Sequence, residues 1–260
     1  MLGKLFKYEF PAMGRRLGPL FIAWAAASVL LGLSIGRFNG TGFIEVLYVL
    51  IYVMVTVAVF VMFIMLIIQK YKNSLLGDEA YFNLTLPVSA SEHIANKTLS
   101  ALVWSALTTV AAIVSGLIIA LFAGELSNIF GEDWAEFWKE LSLLGAKEWL
   151  IIVEIFVIGI LSSVKSVLAI YAAITIGHQA KQRTTLASIG AYIGLMIAES
   201  SIGNIFLNVF NLVNMNTDID ISDYSESQAM LLIALVVTLA LSAAYFFICK
   251  YMMENKLNLN

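Results

Sequence analysis

Long uncharged apolar runs alternate with short polar segments along this chain. No Asp, Glu, Lys or Arg occurs within Leu17–Gly36, Val46–Gln69, Thr98–Gly124 or Ser227–Cys249. A helix that crosses a hydrocarbon core of about 30 Å needs roughly 20 mostly apolar residues. Each of the four runs therefore predicts a transmembrane helix.

Two further apolar runs carry isolated charges. Residues 149–177 contain Glu154 and Lys165, and residues 184–213 contain Glu199. One helix in each run brings the prediction to six spans, at about 17–36, 46–69, 98–124, 149–177, 184–213 and 227–249. Because Glu199–Asn204 is polar and includes Gly203, we expect the fifth span to break there into a bent or re-entrant piece. A single tilted helix is the alternative.

Two amphipathic segments flank the spans. In residues 1–16, Leu2, Leu5, Phe6, Phe10 and Met13 alternate with Lys and Arg, which predicts a helix on the anionic cytoplasmic leaflet, bent or divided at Pro11. Between the third and fourth spans, apolar residues recur at helical spacing, which predicts an outer amphipathic helix over Glu132–Lys147 that lies on the outer leaflet or packs across the span ends. These apolar residues are Trp134, Phe137, Trp138, Leu141 and Leu144.

Composition agrees with a membrane location. Hydrophobic residues make up 60% of the 260 and charged residues 13%, with a mean hydropathy of +0.89, whereas soluble domains carry about 25% charged residues. We expect one all-α integral membrane domain over residues 1–260, with no cleaved leader. Cys249 and two histidines are too few for a disulfide or a Cys/His metal site.

The distribution of basic residues predicts the orientation. Apart from Lys165, eleven Lys and Arg fall in cytoplasmic segments if the N-terminus is inside, and three fall outside, namely Arg37, Lys139 and Lys147. Such asymmetry marks the cytoplasmic side. Both termini are therefore predicted to be cytoplasmic.

The charges within the spans are candidate functional residues. Glu154 and Lys165 are eleven residues apart, about 16 Å along a helix, so they should not pair with each other. Intramembrane ionisable groups usually face a bundle interior or cavity. We expect Glu154, Lys165 and Glu199 to be pathway residues, with Lys165 lining the pathway or pairing across a subunit interface. The alternative is that Glu154 lies near the outer headgroups while Lys165 snorkels or pairs structurally.

Catalytic motifs are absent from the sequence. The chain contains no H-E-x-x-H, no G-x-S-x-G and no G-x-x-x-x-G-K-[ST]. We therefore expect no enzyme activity, and in particular no ATP hydrolysis by this chain itself. The small-residue patterns Gly32-x-x-x-Gly36 and Gly190-x-x-x-Gly194 permit close helix contact and make self-association plausible.

The segment between the second and third spans, Gln69–Asn96, is polar and has Pro87 as a break. Ser89 and Glu92 match a capping box at the start of the third span. The pattern predicts a short cytoplasmic helix, a turn at the proline and a new helix start.

Three motifs in this chain resemble the ABC-2-type permease subunits of bacterial ABC transporters, as does its six-span layout. They are the opening MLGKLFKYEF, LGDEAY at Leu76–Tyr81 and TLPVS at Thr85–Ser89; relatives often have glycine where this chain has Ala80. The resemblance implies a type V exporter-like fold in the bacterial cell membrane. It also implies pairing as a homodimer or heterodimer, and a separate ATPase subunit that binds ATP and Mg.

The resemblance also assigns roles to segments. The N-terminal segment would be a connecting helix, and the region after Glu199 a re-entrant outer hairpin. A coupling helix would contact the ATPase through Gly77, Asp78, Glu79, Tyr81, Leu86 and Pro87. The implied function is export of a peptide, antibiotic or other amphipathic cargo. The alternatives are a secondary transporter that uses Glu154, Lys165 and Glu199, or a membrane assembly or sensor component without transport activity.

Overall fold

Long helices make up nearly all of the structure. The computed structural model describes residues 2–38, 42–75, 89–180, 183–216 and 223–255, and within these ranges there is no strand. The helices are α1 (Leu2–Phe38), α2 (Phe43–Leu75), α3 (Ala90–Ala123), α4 (Leu126–Ile129), α5 (Glu132–Leu143), α6 (Ala146–Gly177), α7 (Thr184–Asn216) and α8 (Asp223–Asn255).

Six of these helices are long and apolar enough to cross a membrane. The crossing segments are Phe10–Arg37, Phe43–Leu75, Ala90–Ala123, Ala146–Gly177, Thr184–Phe206 and Ser227–Glu254. Large apolar side chains lie on their outer surfaces; Met54 is 67% exposed and Phe156 68%. Because water does not favour so much apolar surface, lipid is its natural solvent. The prediction of an all-α membrane protein with six spans is confirmed.

The first helix is longer than the sequence pattern suggested. Helix α1 continues through both Pro11 and Pro19, so the predicted division of the amphipathic segment at Pro11 is wrong. Each proline removes one backbone hydrogen bond. Membrane helices tolerate this loss because neighbouring groups and local adjustments satisfy the freed carbonyl.

The predicted break in the fifth span is wrong. Helix α7 runs without interruption from Thr184 to Asn216 and passes through Gly203. A glycine costs a helix only about 1 kcal/mol, whereas an opened backbone at membrane depth leaves polar groups unsatisfied. Within the polar stretch, the Ser201 hydroxyl finds an acceptor without a break, since it donates to the Ile197 carbonyl of the same helix.

Two local predictions are confirmed. At the start of α3 the Ser89 N–H donates to Glu92 Oε2 at 3.1 Å, and the Glu92 N–H donates to Ser89 Oγ at 3.4 Å, which is the reciprocal pattern of a capping box. The amphipathic helix α5 also forms, although it ends at Leu143 rather than Lys147. The chain becomes extended at Leu144 and Gly145 before α6 begins.

The first of two compact units consists of Met1–Gln69 and Leu99–Leu144. In it α1 packs closely on α3: a Cβ added to Gly32 would lie 2.7 Å from the Ile119 carbonyl oxygen. A hydroxyl chain joins three helices, since Ser28 Oγ lies 2.8 Å from Ser115 Oγ and Tyr52 OH lies 2.9 Å from the same atom. The Gly32-x-x-x-Gly36 pattern is thus used for packing within the chain.

The second unit consists of Lys70–Thr98 and Gly145–Asn260. Helix α6 is its central element and packs along both α7 and α8. The C-terminal half of α6 is its most buried part, with Val167–Ala169 and Tyr171–Thr175 all buried. This unit also takes in the last residues of α2 and the first residues of α3, and it holds the candidate functional residues.

Candidate functional site

Three polar side chains from three spans converge in the second unit. Lys165 of α6 forms a salt bridge with Glu199 of α7 through Lys165 Nζ and Glu199 Oε1. The hydroxyl of Tyr245, on α8, donates to the other carboxylate oxygen, Oε2, at 3.3 Å. Each oxygen of the carboxylate therefore accepts a hydrogen bond from a different helix.

This ion pair lies deep in the crossing segments. Lys165 is twelve residues before the end of α6 and Glu199 fifteen residues after the start of α7, which places both about 20 Å from the turn that joins the two helices. The side chains are 17% and 30% exposed, respectively. A single charge at such depth is costly, and pairing reduces the cost because the two charges together are neutral.

The ion pair lines a cavity of about 470 Å³ formed by α6, α7 and α8. Tyr192, Ser200 and Thr238 add hydroxyl groups to its wall, while Leu195, Met196 and Leu241 add apolar surface. Ligand sites typically have volumes of about 300–1,000 Å³, mostly apolar walls and a few polar groups. The cavity has the size and the mixed lining of a small-molecule site.

Glu154 has a different partner. Gln228 of α8 donates from Nε2 to Glu154 Oε1 at 2.6 Å. The remaining oxygens of the two groups, Glu154 Oε2 and Gln228 Oε1, are buried and accept no hydrogen bond from the described residues. As the spacing predicted, Glu154 does not pair with Lys165; of the three predicted site residues, the structure brings together only Lys165 and Glu199.

Sequence reasoning missed Tyr245, Tyr192 and Gln228. All three are uncharged, so they do not stand out in an apolar run, and Tyr is in addition common at membrane boundaries. Their significance depends on which face of α7 or α8 meets α6. A nearly uniform apolar pattern around those helices does not specify that face.

A second cluster lies nearer the loop between α2 and α3. The rings of Tyr71 (α2) and Tyr171 (α6) stack with centroids 4.0 Å apart. Tyr71 OH lies 2.8 Å from Thr175 Oγ1 and 4.0 Å from the sulfur of Met253 on α8. We call Tyr71, Tyr171, Thr175 and Met253 the tyrosine cluster.

The other side of the same loop is attached to α6 as well. Tyr171 OH donates to the backbone carbonyl of Lys97 in α3 at 3.3 Å. Residues on both sides of the segment 76–88 are thus bonded to α6, the helix that carries Lys165. The predicted coupling residues Gly77, Asp78, Glu79, Tyr81, Leu86 and Pro87 lie outside the described residues, and their role stays a prediction.

Comparisons with known proteins add no family. No family model, no curated protein and no solved structure matches this chain. Within the part of the chain that the structure describes, no three His, Cys, Asp or Glu side chains come together as metal ligands. The site is therefore interpreted from its own geometry.

Proposed function

We propose that this chain is the membrane-spanning permease subunit of an ATP-driven exporter, which forms its pathway as a dimer and couples to a separate ATPase. The observation that carries the proposal is the cavity with its Lys165–Glu199 pair deep among three apolar spans. A helix that serves only as an anchor gains nothing from an intramembrane charge, since each charge makes insertion less favourable. Polar groups at this depth are typical of a transport pathway.

The tyrosine cluster supports coupling to a cytoplasmic partner. It bonds the end of α2 to α6 and α8, the helices that carry Lys165 and Tyr245. A force applied to the loop between α2 and α3 would therefore reach two of the three helices that line the cavity. The sequence has no phosphate-binding loop, so the energy would come from the partner ATPase, which holds ATP and Mg.

The test is reconstitution with the ATPase encoded in an adjacent reading frame. The expected results are copurification of the two subunits and ATP-dependent movement of an amphipathic cargo in membrane vesicles. The double charge reversal Asp78→Lys/Glu79→Lys should abolish ATPase binding, because it reverses the charge of the proposed contact. The matched control reverses two exposed carboxylates of α5, Glu136→Lys/Glu140→Lys, and should leave binding intact. Unchanged ATPase binding and stimulation in the first variant would contradict the assignment.

A secondary transporter is the second candidate, and the ion pair is the observation that favours it. Ion-coupled carriers use intramembrane carboxylates such as Glu199 to bind the coupling ion. Such a carrier would move cargo in vesicles that hold an ion gradient and no ATPase. Transport that needs ATP and its ATPase, and that persists when ion gradients are collapsed, would exclude it.

A further inference from the structure

We propose that the cavity among α6, α7 and α8 binds a zwitterionic amphipath whose headgroup pairs a primary ammonium with a phosphate, as in a phosphoethanolamine lipid. That such a lipid binds here depends only on the cavity. That it is also the cargo rests on the proposed function. Charge balance, the hydrogen-bonding groups and the position of the apolar wall favour this ligand.

Charge balance disfavours ligands with a single charge. A cation that takes Glu199 would leave Lys165 without its partner, and an anion that takes Lys165 would leave Glu199 with only the Tyr245 hydroxyl. An unpaired charge away from water is strongly unfavourable. A ligand that carries both charges exchanges one ion pair for two and leaves neither residue bare.

The polar lining fits the two halves of such a headgroup. An ammonium carries three donors, and among the described residues Lys165 makes one donor–acceptor contact, with Glu199. Its remaining donors, with the hydroxyls of Tyr192, Ser200 and Thr238, suit the several acceptor oxygens of a phosphate. Glu199 already accepts a hydrogen bond from an ammonium, and a primary ammonium on the ligand preserves that bond where a quaternary one does not.

The apolar wall supplies a place for the tail. Leu195, Met196, Val237 and Leu241 line the cavity beside the polar groups. Met196 is also 55% exposed, so the wall of the cavity reaches the outer surface of α7, where lipid would contact it. A hydrocarbon tail longer than the cavity can therefore leave along that surface, and a membrane lipid can enter by the same route.

The experiment uses the purified full chain in maltoside detergent, without an ATPase. Single-chain amphipaths of equal tail length are added: lysophosphatidylethanolamine, the anionic lysophosphatidylglycerol and a primary alkylammonium. Because a ligand that binds the folded state stabilises it, the ethanolamine lipid should raise the unfolding temperature most. We expect its Kd to be at least about tenfold lower than those of the other two amphipaths.

Variants test whether the ion pair sets this preference. Lys165→Met should shift the preference to the alkylammonium, and Glu199→Gln should shift it to lysophosphatidylglycerol. If either variant fails to fold, the double variant Lys165→Met/Glu199→Met removes both charges, leaves none bare and should bind all three amphipaths equally. Glu136→Gln on α5 removes a charge outside the cavity and should bind as the unmodified protein does.

Three results would overturn the proposal. They are equal affinity for the three amphipaths in the unmodified protein, a retained preference for the ethanolamine lipid in the double variant, or tighter binding of an ammonium–carboxylate zwitterion such as an alkyl-tailed dipeptide. Failure of ATP-dependent export with this binding intact would instead count against the proposed function. The two failures are therefore distinguishable.

Discussion

Two intramembrane carboxylates of the second unit are satisfied by different means. Glu199 receives a hydrogen bond on each oxygen, one from the Lys165 ammonium and one from the Tyr245 hydroxyl. Glu154 receives one, from the Gln228 amide, and its second oxygen lies buried. In the first arrangement an ammonium balances the charge of the carboxylate, whereas the second leaves Glu154 Oε2 and Gln228 Oε1 without a donor among the described residues.

This shortage of donors predicts opposite effects for two substitutions. Glu154→Gln should preserve or raise stability, because an amide brings a donor to a group that already contacts Gln228. Gln228→Leu should lower the free energy of unfolding by about 1–3 kcal/mol, because it leaves a buried carboxylate oxygen with no donor. Thermal unfolding of the purified variants in detergent measures both. Strong destabilisation by Glu154→Gln would show that its negative charge is needed there.

The sequence could indicate which residues carry charge inside the membrane but not which side chains form hydrogen bonds with them. Charge in an apolar run is visible at once, and the axial distance between Glu154 and Lys165 follows from helix geometry. The partners Gln228 and Tyr245 are uncharged and lie on α8, 74 residues from Glu154 and 46 residues from Glu199, respectively. Their contacts depend on tertiary packing, which a uniform apolar face does not encode.

Among the helices, the features that depend on local sequence were predicted correctly, whereas the predicted interruptions were not found. The capping box at Ser89 and Glu92 and the aromatic stripe of α5 depend on neighbours within a few residues, so their helices were predictable. The continuity of α1 through Pro11 and of α7 through Gly203 depends on the membrane, where an opened backbone finds no water. Helix-breaking rules drawn from soluble proteins overstate the effect of these residues in a span.

The close approach of α1 and α3 makes Gly32 the position most sensitive to size. A Cβ there would lie 2.7 Å from the Ile119 carbonyl oxygen and 2.8 Å from Phe122 Cβ. Gly32→Leu should therefore force the helices apart and destabilise the first unit by about 1–3 kcal/mol or more. Gly190→Leu in α7 is the matched control, since nothing lies within 4 Å of a Cβ there.

The same pair of variants tests the use of the two glycine patterns. Stability in detergent should fall for Gly32→Leu and stay near that of the unmodified protein for Gly190→Leu. If Gly190→Leu changes the oligomeric state in size-exclusion chromatography while leaving unfolding unaltered, the second pattern serves self-association. Equal stability of the two variants would contradict the packing described for α1.

At the scale of the whole molecule, composition predicted the number of spans because hydrocarbon thickness fixes the length of an apolar run. The asymmetry of Lys and Arg predicts the orientation by a separate rule, and the cytoplasmic location of both termini stays a prediction on that basis. The division into two units was not predictable. It groups the ends of α2 and α3 with α6–α8, through contacts between residues about 75–180 positions apart in sequence.

That grouping gives the tyrosine cluster a specific part in the proposed coupling. Tyr71→Leu removes the stacking with Tyr171 and the hydrogen bond to Thr175, so the end of α2 loses these contacts with α6, while Tyr171 stays bonded to Lys97 of α3. The expected result is normal copurification of the ATPase with at least about tenfold less ATP-dependent transport. The ATPase would still bind the loop, but its movement would no longer pass from the end of α2 to α6. Tyr71→Phe keeps the stacked ring and should retain intermediate transport.

Tyr48 lies in the same helix as Tyr71 but in the other unit. Tyr48→Leu is therefore the control for a general effect of losing a tyrosine, and it should leave transport unchanged. Copurification, ATPase rate and vesicle transport are measured on all three variants at equal protein. Loss of ATPase binding in Tyr71→Leu would show that the tyrosine cluster maintains the ATPase-binding surface rather than transmitting movement to α6. Full transport in the same variant would remove the tyrosine cluster from the mechanism, because α6 and α8 would then respond to the ATPase without this bond to the loop.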